Sequence, residues 1–148
     1  MASKVEEELR RLSIEIRFLE ETAQALQSRM NMVNAVIQDL TYANMTLKSL
    51  EKNELDSELL VPIGGNSYIK AKLDDPDKVI VGMGAGISVE KTSQEAKGIV
   101  KNRLEGLGET KVSLQQRFVQ VAQKINEDRG KFEELAAELR QGKPSRNV

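Results

Sequence analysis

From residue 5 to residue 47 the chain places a protected position at alternating steps of four and three. The series runs Val5, Leu9, Leu12, Ile16, Leu19, Ala23, Leu26, Met30, Val33, Ile37, Leu40, Asn44 and Leu47, and only Asn44 in it is polar. An apolar repeat of 3.5 residues sustained this long keeps one helical stripe facing a partner, so it describes a helix wound on another helix. A second series follows near the other end: Val100, Leu104, Leu107, Lys111, Leu114, Phe118, Val121, Ile125, Asp128, Phe132, Leu135 and Leu139. Two such series in one short chain predict an antiparallel helical hairpin. With a positions opposite d positions, Val5 meets Leu139, Leu12 meets Phe132, Leu26 meets Phe118, Ile37 meets Leu107 and Asn44 meets Val100, the paired numbers adding to 144 in each case. Asn44 falls at an a position, where a buried Asn fixes register at some cost in stability.

The boundaries follow from local signals. Residues 1–61 contain neither Gly nor Pro, and Ser3 with Glu6 has the spacing of a capping box. The first coiled-coil helix is therefore assigned to residues 3–53, an arm of roughly 75 Å at 1.5 Å per residue. Residues 54–91 change character: Gly and Pro appear and β-branched residues cluster. Four short strands are predicted there, at Leu59–Ile63, Tyr68–Leu73, Val79–Val81 and Ile87–Val89. They are separated by turns at Gly64-Gly65-Asn66, Asp74-Asp75-Pro76-Asp77 and Gly84-Ala85-Gly86. Thr92, with Glu95 three residues on, starts a second coiled-coil helix over 92–141. Gly106, Gly108 and Gly130 each weaken that helix by about 1 kcal/mol against Ala, and Lys111 and Asp128 interrupt its seam. Residues 142–148, with Gly142 and Pro144, read as a disordered tail. The expectation is a mainly α fold forming a single domain: a long antiparallel coiled-coil hairpin with a four-stranded insert of two β-hairpins. Four strands this short cannot build a core alone, and their edges invite other chains, so the insert is an assembly element.

Composition excludes most chemistry. The chain has no Cys and no His, which removes the commonest thiol, metal-ligand and general-base groups. Gly82-Met83-Gly84-Ala85-Gly86 follows an apolar strand, but the third glycine of a dinucleotide fingerprint would fall at Ile87, and the sequence after it is strand-like. Asp74, Asp75 and Asp77 lack the distal Gly and Glu of a calcium loop. An enzyme is not expected, nor a cofactor or a metal. Net charge is -1 and the basic residues are interleaved with acids, which opposes nucleic-acid binding. Glu6-Glu7-Glu8 beside the first seam opposes a basic-zipper reading in particular. No apolar run approaches the roughly 20 residues of a membrane span.

These residues carry a family resemblance. Leu59-Leu60-Val61-Pro62-Ile63, then Tyr68-Ile69, then Asp75-Pro76-Asp77-Lys78-Val79-Ile80-Val81, then Gly84-Ala85-Gly86, then Val89-Glu90-Lys91-Thr92 closely resembles the central motif of the α-type subunit of prefoldin. The flanking seams extend the likeness to nearly the whole chain. It departs from the family pattern in having Gly64-Gly65 where hydroxyl residues are frequent, and Ile87 where an aromatic is frequent. The resemblance implies a cytoplasmic, ATP-independent chaperone, a hexamer of two α-type and four β-type subunits. In it the strands join a double β-barrel platform, and the coiled-coil tips hold unfolded polypeptide for delivery to a group II chaperonin. On that basis Val5, Leu9, Leu12, Phe132, Leu135 and Leu139 are expected at the client-binding tip, joined by Ile14 and Phe18, an apolar pair off the seam at i,i+4 spacing. Ile63, Tyr68, Ile69, Val79, Ile80, Val81, Ile87 and Val89 are expected between subunits. The competing reading is a structural coiled-coil tether without clients. The strand insert opposes it, because a tether needs only a turn between its helices.

Overall fold

The computed structural model describes residues 3–146, with side chains through residue 142. Its element order is α1 (Lys4–Leu50), β1 (Glu58–Gly64), β2 (Ser67–Lys72), β3 (Lys78–Gly84), β4 (Ile87–Thr92) and α2 (Ser93–Arg146). The strands form two separate antiparallel pairs, β1 with β2 and β3 with β4. The architecture is the mainly helical one expected, with two long helices enclosing two β-hairpins.

Both helix starts are capped as the spacing requires. The Ser3 hydroxyl accepts from the Glu6 backbone N–H at 3.2 Å, and the Glu6 carboxylate accepts from the Ser3 N–H at 3.4 Å, closing the box. The Thr92 hydroxyl accepts from the Glu95 N–H at 3.1 Å. α1 ends three residues before the expected boundary. There the bonding tightens to i→i−3, Lys52 N–H to Ser49 and Asn53 N–H to Leu50, and Asp56 turns the chain at a φ of 62°. At the other end α2 runs through residues 142–146, where a disordered tail was expected. Residues 147 and 148 lie outside the described residues.

The chain divides into two units, Met1–Asn34 with Glu109–Val148, and Ala35–Gly108. In the first, Leu26, Met30 and Leu114 are buried together, with Val33, Phe118 and Val121 packed around them. Leu26 and Phe118 therefore share one cluster, as their pairing requires. In the second, Leu47, Val81, Ala96 and Val100 form the buried cluster, flanked by Leu40, Ala43, Val79, Ile99 and Leu104. Every residue of both heptad series is buried or half-buried, including Lys111 and Asp128.

Candidate functional site

The first unit joins the start of α1 to the end of α2. Heptad spacing turns Val5, Leu9, Phe132, Leu135 and Leu139 inward, and all five are half-buried; Leu12 is 1% exposed. Ile14 and Phe18 lie off the stripe and are 66% and 65% exposed, one helical turn apart. Sequence reasoning missed Met32, which is as exposed as they are. It stands two heptads after Phe18, at the same heptad position, so extending the seam count to off-seam apolar residues would have found it. Val112 and Val119, also one heptad apart, are exposed on α2.

Polar chemistry in this unit is concentrated near Asp128. That carboxylate is fully buried within the seam, with the Lys124 ammonium 3.1 Å from Oδ1. Lys124 also lies 3.8 Å from Glu15 on α1. Its ammonium is held above its ordinary pKa, chiefly by hydrogen bonding to Asp128. Glu8 is held below its ordinary value, chiefly by its hydrogen bond from Arg11. The Arg11 guanidinium is raised in turn, first by Glu8 and to a smaller degree by Glu15 and Asp128. Arg129 reaches Glu20 across the seam. These contacts pair opposite charges within and across the two helices.

The second unit carries the hairpins. Gly65 and Asn66 have φ of 55° and 57°, and Ala85 and Gly86 have 52° and 76°. Positive φ at both central residues defines type I′ turns, whose twist matches that of the flanking strands. The Asp74–Asp77 segment is a turn in which the Asp75 carboxylate accepts from the Asp77 N–H at 2.9 Å. Among the described residues no group of three or more acidic side chains could hold a metal ion.

The eight residues expected at an assembly surface divide into two sets. Val81 is buried within its own chain, against Leu47, Ala96 and Val100, and Val79 packs on the same cluster. These two fix β3 to the helices, helped by Arg103, which donates to the Gly82 carbonyl at 2.8 Å. Ile63, Tyr68, Ile69, Ile80, Ile87 and Val89 are exposed, Ile80 to 75%. Leu60 and Met83 join them. So many exposed apolar side chains on two short hairpins exceed what a surface carries by chance.

Comparison with known proteins decides the family. Residues 19–138 match the family described as prefoldin subunit. The chain belongs to the prefoldin family. It is 34% identical to prefoldin subunit alpha of Methanococcoides burtonii, over 84% of this chain and 91% of that one. It is 30% identical to prefoldin subunit alpha of Pyrococcus horikoshii, over 86% and 87%. Among solved structures it resembles filamentous prefoldin from Methanocaldococcus jannaschii, with a TM-score of 0.66 and 27% identity over 76% of this chain and 93% of that one. No described helix of this prefoldin chain is long and apolar enough to cross a membrane.

Proposed function

We propose that this chain is the α-type subunit of a cytoplasmic, ATP-independent holdase. It assembles with β-type subunits into a hexamer of two α and four β chains, captures unfolded polypeptides on its coiled-coil ends, and passes them to a group II chaperonin. The observation that carries this reading is the exposed apolar surface of both hairpins. A monomer gains nothing from Ile80 or Ile63 in water, whereas a shared β-barrel platform buries them. Client capture falls to the first unit. Ile14 and Phe18 offer a standing apolar patch, and Val5, Leu9, Leu12, Phe132, Leu135 and Leu139 become available when the end of the coil frays. Shallow contacts of this kind suffice when several arms grip one client, because avidity multiplies weak affinities. No catalytic step is involved, and no nucleotide or metal.

The test mixes the chain with a β-type partner. Native mass spectrometry should record the two-plus-four hexamer. Deleting the first 12 residues together with everything after Asp128 should leave that mass series shifted only by the deletion, and should abolish suppression of aggregation of a chemically unfolded client. Replacing Ile14 and Phe18 by Ser should weaken suppression without touching the seam. ATP should change neither result. Suppression that survives the truncation would move client binding to the platform, and a requirement for ATP would end the holdase reading.

A further inference from the structure

One layer of the first unit's seam is set apart by three features. Pairing numbers that add to 144 put Asp128 opposite Ile16, so a fully buried carboxylate sits between two apolar layers, Leu12–Phe132 and Leu19–Ile125. Beyond the Lys124 contact at 3.1 Å its oxygens meet no hydrogen-bond donor among the described residues. Gly130 follows two residues on. A Cβ built there meets nothing within 4 Å, so no close packing calls for glycine at that place, and the residue only loosens the helix. Two ion pairs cross between the helices at the same level, Lys124 with Glu15 at 3.8 Å and Arg129 with Glu20. Glu15 and Lys124 are at g positions and Glu20 and Arg129 at e positions, so the pairs flank the seam on opposite sides. Among the described residues no other ion pair crosses between the helices of this unit.

These features act differently on the two sides of the layer. On the side toward Val5 and Leu139 lie three apolar layers, Val5–Leu139, Leu9–Leu135 and Leu12–Phe132, with no described ion pair between the helices to hold them. Parting them exposes apolar surface, but it also brings water to the Asp128 carboxylate, whose desolvation the closed coil leaves nearly uncompensated. The buried charge thus lowers the cost of opening this segment, and Gly130 lowers the cost of unwinding the helix there. On the other side the balance reverses. Further parting exposes Leu19 and Ile125 and separates both ion pairs, and among the described residues there is no second buried carboxylate to hydrate.

We propose that the Ile16–Asp128 layer is a parting plane built into the coil. The three layers beyond it open and close as one unit, and the ion pairs Glu15–Lys124 and Glu20–Arg129 stop the opening there. The seam residues of the opening segment are Val5, Leu9, Leu12, Phe132, Leu135 and Leu139, the six assigned above to unfolded polypeptide. The inference therefore rests on that reading and adds to it what controls access to those residues. In the closed state Leu12 is 1% exposed and offers a client nothing. Both stopping pairs are open to solvent, so added salt screens them and lets the parting run further.

Hydrogen exchange on the full-length chain, read along both helices, tests this, because a short stretch of helix parted from its partner does not keep its own structure. The amides of residues 5–14 and 130–141 should exchange with one common opening free energy, and a step to slower exchange should follow inside the Asp128 layer. Asp128→Leu should slow the outer set roughly tenfold, and Gly130→Ala should slow it several-fold. Both should leave residues 22–33 unchanged. Glu15→Gln combined with Glu20→Gln should move the step inward past Leu19 and Ile125, and should remove the salt dependence of the unsubstituted chain. A smooth gradient of exchange with no step, or an outer set indifferent to Asp128→Leu, would overturn the parting plane. The client reading is tested apart from it, by suppression of aggregation with the β-type partner present, which Asp128→Leu should weaken. Slowed exchange with unchanged suppression would keep the parting plane and remove the six residues from client binding. Unchanged exchange, with suppression still abolished by the truncation described above, would keep the client reading and remove the plane.

Discussion

Asp128 occupies a seam position that the heptad pattern reserves for an apolar residue, and its side chain is nonetheless 0% exposed. Beyond the Lys124 contact neither of its carboxylate oxygens has a hydrogen-bond donor among the described residues. A carboxylate buried against a half-exposed ammonium recovers little of its desolvation cost, so an apolar side chain in its place should stabilise the coil. Asp128→Leu is accordingly expected to raise the urea midpoint of the coil, followed by circular dichroism. Lys124→Met alone should lower it, by leaving the carboxylate uncompensated, and the double variant should recover the loss. The raised pKa of Lys124 fixes the sign of the pH dependence. Its contribution is complete below the ordinary lysine value and disappears as pH climbs through the raised one, so it is fully present at neutrality. From the sequence alone Asp128 reads as a break in the seam, although Lys124, four residues before it on the same helix, stands at the spacing that lets the two meet.

At the scale of elements, the third strand separates packing within the chain from packing between chains. Val81 is buried in the chain's own cluster, and its neighbour Ile80 is 75% exposed. Val81→Asp should cost the isolated chain several kcal/mol, because it buries an unpaired charge. Ile80→Asp should leave the isolated chain's melting within about 0.5 kcal/mol of the original. Both should lose the hexamer by native mass spectrometry. The strands, turns and caps behind this contrast were legible because each is written locally: Gly65-Asn66 permits the positive φ of its turn, and Thr92 with Glu95 starts α2. The inward assignment of Val81 was not legible. Period-two alternation divides a strand into two faces without saying which one meets the helices. The two hairpins share one register at an offset of twenty residues, a likeness legible in principle from Gly64-Gly65-Asn66 and Gly84-Ala85-Gly86, but substitutions such as Tyr68 against Ser88 hide it until the register is known. Helix ends were read to within a few residues, their last turns being set by contacts such as Lys97 with Glu51 that no local pattern encodes.

The whole molecule, taken by itself, is an unfinished surface. Exposed apolar residues on the hairpins gain by association, and a species that binds only the folded state raises its stability by mass action. The thermal midpoint of the isolated chain should therefore rise with protein concentration across a hundredfold range, and rise further when the β-type partner is added. A midpoint independent of both would mean that the hairpins do not associate in solution. In the terms of polymer chemistry, two hairpins on one chain are two reactive groups on one monomer. A chain bearing two reactive groups is a bifunctional monomer, and a chain bearing one is an end-stopper. Bifunctional monomers alone give closed rings where the rotation between neighbours closes, and open polymers where it does not. Chains with a single such group terminate growth wherever they add. In such a mixture stoichiometry sets the size of the finished particle, with no measuring device built into either kind of chain.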